Sequence, residues 1–259
     1  MLNKDLIQRA EYLRNQIKYH NELYYKLDKP EISDYDYDLL FKELKSLEEN
    51  YPSLNSTDSP TQTIEDNKLE TFSQIKHETP MLSLSNVFNK EEFISWWDKI
   101  NSDSTNKNLE MVSELKLDGL AISITYINGK LEYAATRGDG LIGEDVTSNV
   151  KTINNVPKSI ESLKNIPKIE IRGEIYIKRS EFKTLNSIRI ENGLEPFSNP
   201  RNTAAGSLRQ LNPKITAERP LDAFFYSVAY SSNEIPKTQY EILEYLQNLG
   251  FQTNPNNNK

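Results

Sequence analysis

The spacing of apolar residues changes once along the chain, from a helical repeat to strict alternation. That change limits the fold more than any other feature. Leu6, Ala10, Leu13 and Ile17 are separated by 4, 3 and 4 positions, the spacing that lines one face of a helix. The stripe extends through Leu23 or Tyr24 to Leu27, and Pro30 ends it. Ser33 or Asp34 is placed to cap a second helix, with Asp36 in its first turn and Leu40, Leu44 and Leu47 as its stripe. The segment 51–63, YPSLNSTDSPTQT, has no period and reads as a loop that wraps or links. From Glu110 onward β-branched residues alternate with polar ones, and 109–117 and 120–127 read as strands. Asn128-Gly129 between two such runs predicts a type I′ hairpin. The alternation is cleanest over 168–178. Ile169, Ile171, Gly173, Ile175 and Ile177 fall on one face there, and Glu170, Arg172, Glu174 and Tyr176 on the other.

Helical signals punctuate this second part. Asn89 with Glu92 predicts a capping box for a helix carrying Phe93, Trp96 and Trp97. Helices are expected near 180–191 and 200–210, the latter with Asn199 as cap and Pro200 at its first position. A strand over 223–229 follows. A last helix starts at Thr238, with Glu241 as its capping-box partner, and stops at Gly250. After Phe251 the rhythm stops in QTNPNNNK, a polar tail not expected to pack. The reading is a small helical domain over 1–70 and an α+β domain over 71–259 built on antiparallel sheet.

Composition narrows the chemistry. The 259 residues include no cysteine and only two histidines, His20 and His77. Disulfides, a thiol nucleophile, thiolate zinc sites and histidine-rich metal clusters are therefore excluded within this sequence. No apolar run approaches the roughly 18 residues of a membrane span. The opening MLNKDLIQRAEYLRNQ carries charge throughout with no apolar signal core, so a cytoplasmic protein is expected. Lys+Arg number 31 against 38 Asp+Glu, a net charge of −7. That balance rules out a uniformly basic coat for nucleic acid but not a local basic site.

Five groups of residues could carry chemistry. In Glu114-Leu115-Lys116-Leu117-Asp118-Gly119 an extended backbone puts Glu114, Lys116 and Asp118 on one face and the leucines in the core. Lys116 is then a candidate nucleophile or phosphate binder, but a solvated strand face explains the hexamer as well. A free lysine, with a pKa of about 10.4, also needs its proton removed before it can attack. Thr136-Arg137-Gly138-Asp139-Gly140 with Gly143-Glu144 is a tight turn with an arginine at its mouth, suited to phosphate or simply a loop. It matches neither GxGxxG nor GxxxxGK[ST]. In Arg172-Gly173-Glu174 the glycine makes room for a packed element or a ligand. Glu174 could hold a hydroxyl or metal, or a cross-strand cation.

The helix after Asn199 begins with Arg201, and Arg209 lies eight residues on, about 80° around the axis. Both could line one phosphate groove. Tyr24, Tyr25, Asp34, Tyr37 and Asp38 combine rings and acids. They suit a cationic aromatic ligand such as a nicotinamide riboside, or an ordinary helix-helix core with a solvated rim.

Taken in order, these segments resemble the bacterial NAD-dependent DNA ligases over essentially the whole chain. His77-Glu78-Thr79-Pro80-Met81-Leu82-Ser83-Leu84 resembles the segment before the nucleotide-binding sheet, and Lys116-Leu117-Asp118-Gly119 the adenylation motif KxDG. The three motifs named above at Arg137, at Arg172 to Glu174 and at Asn199 to Arg209 follow in family order. The resemblance implies a helical NMN-recognition domain followed by a nucleotidyltransferase domain, ATP-grasp-like, with antiparallel sheets and flanking helices and incomplete at its C-terminus. It implies Lys116 as the nucleophile that takes AMP from NAD and passes it to a nicked duplex DNA, with Mg2+ screening the phosphates.

The resemblance places Glu114, Ser83, Leu84 and Tyr226 by the adenine and Glu174 by the ribose. Asp118 and Arg137 come beside sugar and phosphates, and Arg201 and Arg209 along the phosphates. Tyr24, Tyr25, Asp34, Tyr37 and Asp38 go to the NMN half, although some relatives carry histidine where Tyr25 stands. It implies a monomer, names no metal ligands, and allows that further chain of the same enzyme completes the pocket. The family's DGVVIK segment, oligonucleotide-binding fold, zinc finger, helix-hairpin-helix and BRCT domains have no counterpart in this sequence. Nick sealing by this chain alone is therefore not expected. The competing expectations are a non-catalytic NAD-binding fragment and an ATP-dependent nucleotidyltransferase.

Overall fold

A computed structural model describes residues 4–23, 31–32, 34–56, 58–61, 72–104 and 109–256. The N-terminal stripe forms α1 (Lys4–Asn21), which packs against α2 (Asp34–Asn50). Ala10, Leu13, Ile17 and Leu44 are fully buried between them, with Leu40, Phe41 and Leu47 at the margin. The cap position at Ser33 lies outside the described residues.

The loop after α2 wraps, as its composition suggested, and polar bonds hold it in place. It makes one 3-10 turn, Pro52–Leu54, that buries Leu54. Arg14 then bonds the Leu54 carbonyl and Glu48, while Ser59 and Thr61 donate to the same buried Glu48 carboxylate.

The larger region is built on a four-stranded antiparallel sheet. Its strands are β2 (Leu120–Ile127), β3 (Lys130–Thr136), β5 (Lys168–Ile177) and β6 (Leu221–Ser231), in the order β3-β2-β5-β6. Asn128 and Gly129 both have positive φ, 47° and 76°, as the type I′ turn between β2 and β3 requires. A two-stranded ribbon pairs β1 (Gln74–Lys76) with β4 (Ile142–Glu144).

One face of β5 is wholly buried: Ile169, Ile171, Gly173, Ile175 and Ile177. Gly173 leaves room for packing, since a Cβ there would meet the Phe224 carbonyl at 2.5 Å and the Phe225 ring at 2.8 Å. The core over that face includes Phe225, Leu208, Leu246 and Phe251. The helices are α3 (Lys90–Asp103), α4 (Thr147–Val150), α5 (Arg179–Glu191), α6 (Pro200–Leu208), α7 (Pro213–Ala217) and α8 (Gln239–Asn248). Asn89 caps α3 by accepting from Glu92 N–H, and Thr238 and Glu241 form a complete capping box on α8. Among the described residues no helix is long and apolar enough to cross a membrane.

Two expectations fail. Residues 109–117 form no strand; apart from one bridge at Ser113 the segment joins no ladder, and Leu115 is 59% exposed rather than in the core. Alternation specifies an extended backbone with two faces, but a ladder also needs a partner strand. The tail also packs further than its polarity suggested. Phe251 is 3% exposed, and Thr253 and Asn254 are buried with it. The Gln252 carbonyl accepts from Phe225 N–H at 2.8 Å, and Thr253 Oγ1 accepts from Gln247 at 2.6 Å. Backbone bonds to a sheet edge and amide side chains satisfy the polar groups of this segment behind the core-packed Phe251.

Candidate active site

The polar face of β5 organises the site. Glu170, at one end, is buried and accepts from Ser123 Oγ at 2.7 Å and from Arg172 at 3.3 Å. Arg172 also donates to the carbonyls of Thr79 and Pro80. It thereby ties the segment from His77 onto the sheet. The same segment is held from its other side: Met81 N–H donates to the Gly140 carbonyl at 2.8 Å, and His77 Nε2 lies 3.1 Å from the Arg137 carbonyl. Gly138 and Gly140 both have positive φ, 55° and 92°. The Asp139 carboxylate accepts the Leu141 and Ile142 N–H groups, which hold its pKa below the usual carboxylate value. This loop is a closed turn with Arg137 at its start.

Glu174 is the centre of the charged group. Burial pushes its carboxyl up to about 7; Lys116, Arg201 and the Gly119 N–H pull it down, and Asp118 pushes it further up. Gly119 approaches so closely that a Cβ would meet the Ile175 carbonyl at 2.2 Å and Glu174 Cγ at 3.0 Å. The KxDG segment thus crosses over Glu174 at a point that only glycine fits. Arg201 projects from the first turn of α6, where Asn199 caps by accepting from Asn202 N–H at 2.8 Å. Arg201 Nε stands 3.7 Å from Asp118 Oδ1.

On β6, burial raises the Tyr226 hydroxyl to about 12; Glu174 adds to the rise while Arg172 and Arg137 oppose it. A neutral phenol therefore faces this group at ordinary pH. Lys116, Asp118, Glu174, Arg201, Tyr226 and Arg137 are brought together. Lys116 is exposed, and Asp118's side chain is 70% exposed.

Other expected residues lie elsewhere. Arg209 closes α6 and commits its fork to Glu144 on β4, with contacts of 2.7 and 2.8 Å. Ser83 and Leu84 face solvent, Leu84 at 78% exposure. Tyr24 and Tyr25 lie outside the described residues, as do the side chains of Asp34 and Asp38 in α2. The Tyr37 hydroxyl donates to Asn21 at 2.7 Å, and its ring stacks on Phe41. Among the described residues no group of three or more His, Asp or Glu could hold a metal.

One contributor, Gln239, was not singled out in the sequence, and two that were, Arg172 and Glu144, have partners that nothing local announces. Arg172 was placed on the right face, but nothing signalled its bond to the His77 segment. Glu144, the partner of Arg209, carries no local signature. Gln239, at the first position of α8, donates to Glu114 Oε1 at 2.7 Å and to the Tyr226 carbonyl at 2.8 Å. It is one polar residue in a polar stretch.

Comparison with known proteins identifies the family. Residues 69–259 match the NAD-dependent DNA ligase adenylation domain, and residues 3–65 match the DNA ligase-like, N-terminal NAD+-binding domain. The chain is 48% identical over 252 residues to a DNA ligase of Thermotoga neapolitana, covering 97% of this chain and 36% of that protein. A DNA ligase of Dehalococcoides mccartyi is 46% identical over 248 residues, covering 95% and 36%. One from Saccharophagus degradans is 48% identical over 252 residues, covering 95% and 37%. The chain thus spans a little over a third of the length of these relatives. Both domain matches and all three relatives agree: the chain belongs to the NAD-dependent DNA ligase family.

Proposed function

We propose that this chain takes the adenylyl group of NAD onto Lys116, as the first half of a DNA-joining reaction. The observation that carries the reading is the meeting of Lys116, Asp118 and Arg201 over the half-buried Glu174. The Lys116 Nζ lone pair attacks the adenylyl phosphorus. The bond from that phosphorus to the bridging oxygen breaks, and nicotinamide mononucleotide departs with the electron pair. The attacking amine must first lose a proton, and a carboxyl titrating near 7 in its field, Glu174, is suited to take it. Arg201 and Arg137 supply positive charge for the phosphates.

The base is taken between the Tyr226 ring and Glu114, with Ser83 and Leu84 beside it. Arg209 serves a phosphate after leaving Glu144. The helical domain, residues 1–70, recognises the nicotinamide mononucleotide half through Tyr24, Tyr25, Asp34, Tyr37 and Asp38. The adenylation domain is 71–259.

Magnesium fits as an ion carried mainly by the substrate phosphates, a common mode for this metal. The exposed Asp118 is the carboxylate open to it, and the ion would supply positive charge at the phosphorus. In the complete enzyme AMP then passes to the 5′-phosphate of a nick in duplex DNA, and the 3′-hydroxyl attacks with release of AMP. We place the protein in the cytoplasm as a monomer.

Intact mass after incubation with NAD and magnesium tests the reading. A gain of one AMP, absent in Lys116→Ala, supports it. NAD binding by calorimetry without mass gain would leave a non-catalytic NAD-binding fragment. A mass gain from ATP with release of pyrophosphate would indicate an ATP-dependent transferase.

A further inference from the structure

We infer that Gln239 is a positioning residue for base recognition: it fixes the Glu114 carboxylate so that one oxygen accepts from the amino group of adenine. The inference rests on the reading above that the base lies between Tyr226 and Glu114. The geometry supports it in three ways. First, both partners of the Gln239 amide, a carboxylate and a backbone carbonyl, only accept hydrogen bonds. The amide must therefore present its nitrogen, and both N–H groups are spent on Glu114 Oε1 at 2.7 Å and the Tyr226 carbonyl at 2.8 Å. Second, this amide links the two walls of the base site, because one partner belongs to the segment leading to Lys116 and the other to the residue whose ring faces the site.

Third, the amide is held rigidly. Gln239 opens α8, whose start is fixed by the Thr238–Glu241 box and which buries Leu243 and Leu246 on the same face, four and seven residues on. The segment of Glu114 joins no ladder of its own beyond the bridge at Ser113. The Gln239 bond therefore supplies an orientation that the backbone does not.

With Oε1 engaged, Glu114 Oε2 accepts no hydrogen bond among the described residues and is left as an acceptor. An acceptor at that point matches the exocyclic N–H2 of adenine and repels the carbonyl oxygen that hypoxanthine carries in its place. Tyr226 supplies stacking, which does not distinguish the two bases.

The test compares NAD with nicotinamide hypoxanthine dinucleotide by calorimetry and by the rate of self-adenylation, in wild type, Gln239→Leu, Gln239→Glu and Glu114→Ala. The expected result is a wild-type preference for NAD. It falls about tenfold in Gln239→Leu, the scale of one hydrogen bond to a charged group. It falls at least as far in Gln239→Glu, where like charges meet. In the Gln239 variants the NAD concentration giving half-maximal self-adenylation rate rises, while the single-turnover rate at saturating NAD is kept. Adding Gln239→Leu to Glu114→Ala has no further effect, because the glutamine acts through that carboxylate. A wild-type preference that survives both Gln239 variants overturns the inference and leaves the adenylation reading standing. Absence of any wild-type preference overturns both the inference and the placement of the base. A Gln239→Leu effect that adds in full to Glu114→Ala also overturns it, since the residue then acts on the fold rather than on Glu114.

Discussion

Two desolvated carboxylates, Glu48 in the helical region and Glu174 in the sheet region, are held in opposite ways. In the helical region, burial of Glu48 pushes its pKa up. Bonds from Thr61, Ser59 and Arg14 outweigh that push and hold the pKa below the usual carboxylate value. In the sheet region Glu174 has only partial compensation, and burial carries it up to about 7. The first carboxylate is satisfied and pins a loop to two helices whose shared core holds few buried residues. The second keeps only the Gly119 N–H and the fields of Lys116 and Arg201, at the point where the KxDG segment crosses the sheet. The large apolar core under β5 can carry that cost; the small helical core substitutes polar bonds for the area it lacks. A carboxylate only partly compensated in a well-supported region suits binding and proton transfer, whereas a carboxylate saturated with donors suits structure.

The sharpest separation of the two roles is Lys116→Ala. Lys116 is exposed, so neither core changes, and thermal unfolding should match wild type. Self-adenylation, read by intact mass, should vanish. Residual adenylation in the variant would move the nucleophile elsewhere.

Glu48→Gln should produce the largest change in stability. It leaves Arg14, whose side chain is 14% exposed, without its counter-charge, which typically costs about 3–5 kcal/mol. Hydrogen exchange should show the loss in α1 and α2, with β2, β5 and β6 still protected. Equal loss in the sheet would show that the two regions unfold as one unit. Wild type should show the same weakness on acidification. A carboxylate with lowered pKa contributes above its unfolded pKa, and that contribution is lost as pH falls through the folded pKa.

Glu174 should respond in the opposite direction. Its raised pKa makes the folded state hold a proton that the unfolded chain releases near 4.5. Its stabilising effect is therefore complete below about 4.5 and is lost as pH rises through about 7. Between pH 5 and 7.5 wild type should lose about 2 kcal/mol relative to Glu174→Gln, measured as the shift in urea midpoint. A difference that is flat with pH would mean that Lys116 and Arg201 keep the carboxylate ionised throughout.

The comparison also explains what the sequence could reveal. Both faces of β5, the hairpin at Asn128-Gly129 and the caps at Asn89, Asn199 and Thr238 were legible, because each depends on a periodicity or on residues three positions apart. The grouping of Lys116, Asp118, Glu174 and Arg201 was legible as separate motifs and through their family resemblance. The hub role of Glu174 was not, because it depends on how deeply Gly119 and α6 press over it. Leu115 was misplaced because alternation does not name a partner strand. Arg209 was read as open to phosphate because nothing near it in sequence announces Glu144, 65 residues away. Gln239 was invisible because its two acceptors lie 125 and 13 positions away.

The smallest effect belongs to a pair with the same helix spacing as Arg14–Glu48 but neither its burial nor its added bonds to Leu54, Ser59 and Thr61. Arg9 and Glu43 also join α1 to α2 across 34 positions, five residues earlier on each helix, with two contacts of 2.7 Å. Their side chains are 46% and 43% exposed. Water already solvates both charges there, so the pair gains little and leaves nothing stranded when broken. Glu43→Gln should cost under about 1 kcal/mol, and the cost should shrink as salt is raised, because an exposed pair is screened. The Glu48→Gln cost should barely move with salt. If both variants cost the same, the ion pair itself, rather than the stranding of a buried arginine, would account for the stability of the helical region. The contrast with Glu174 would then rest on pairing rather than on burial.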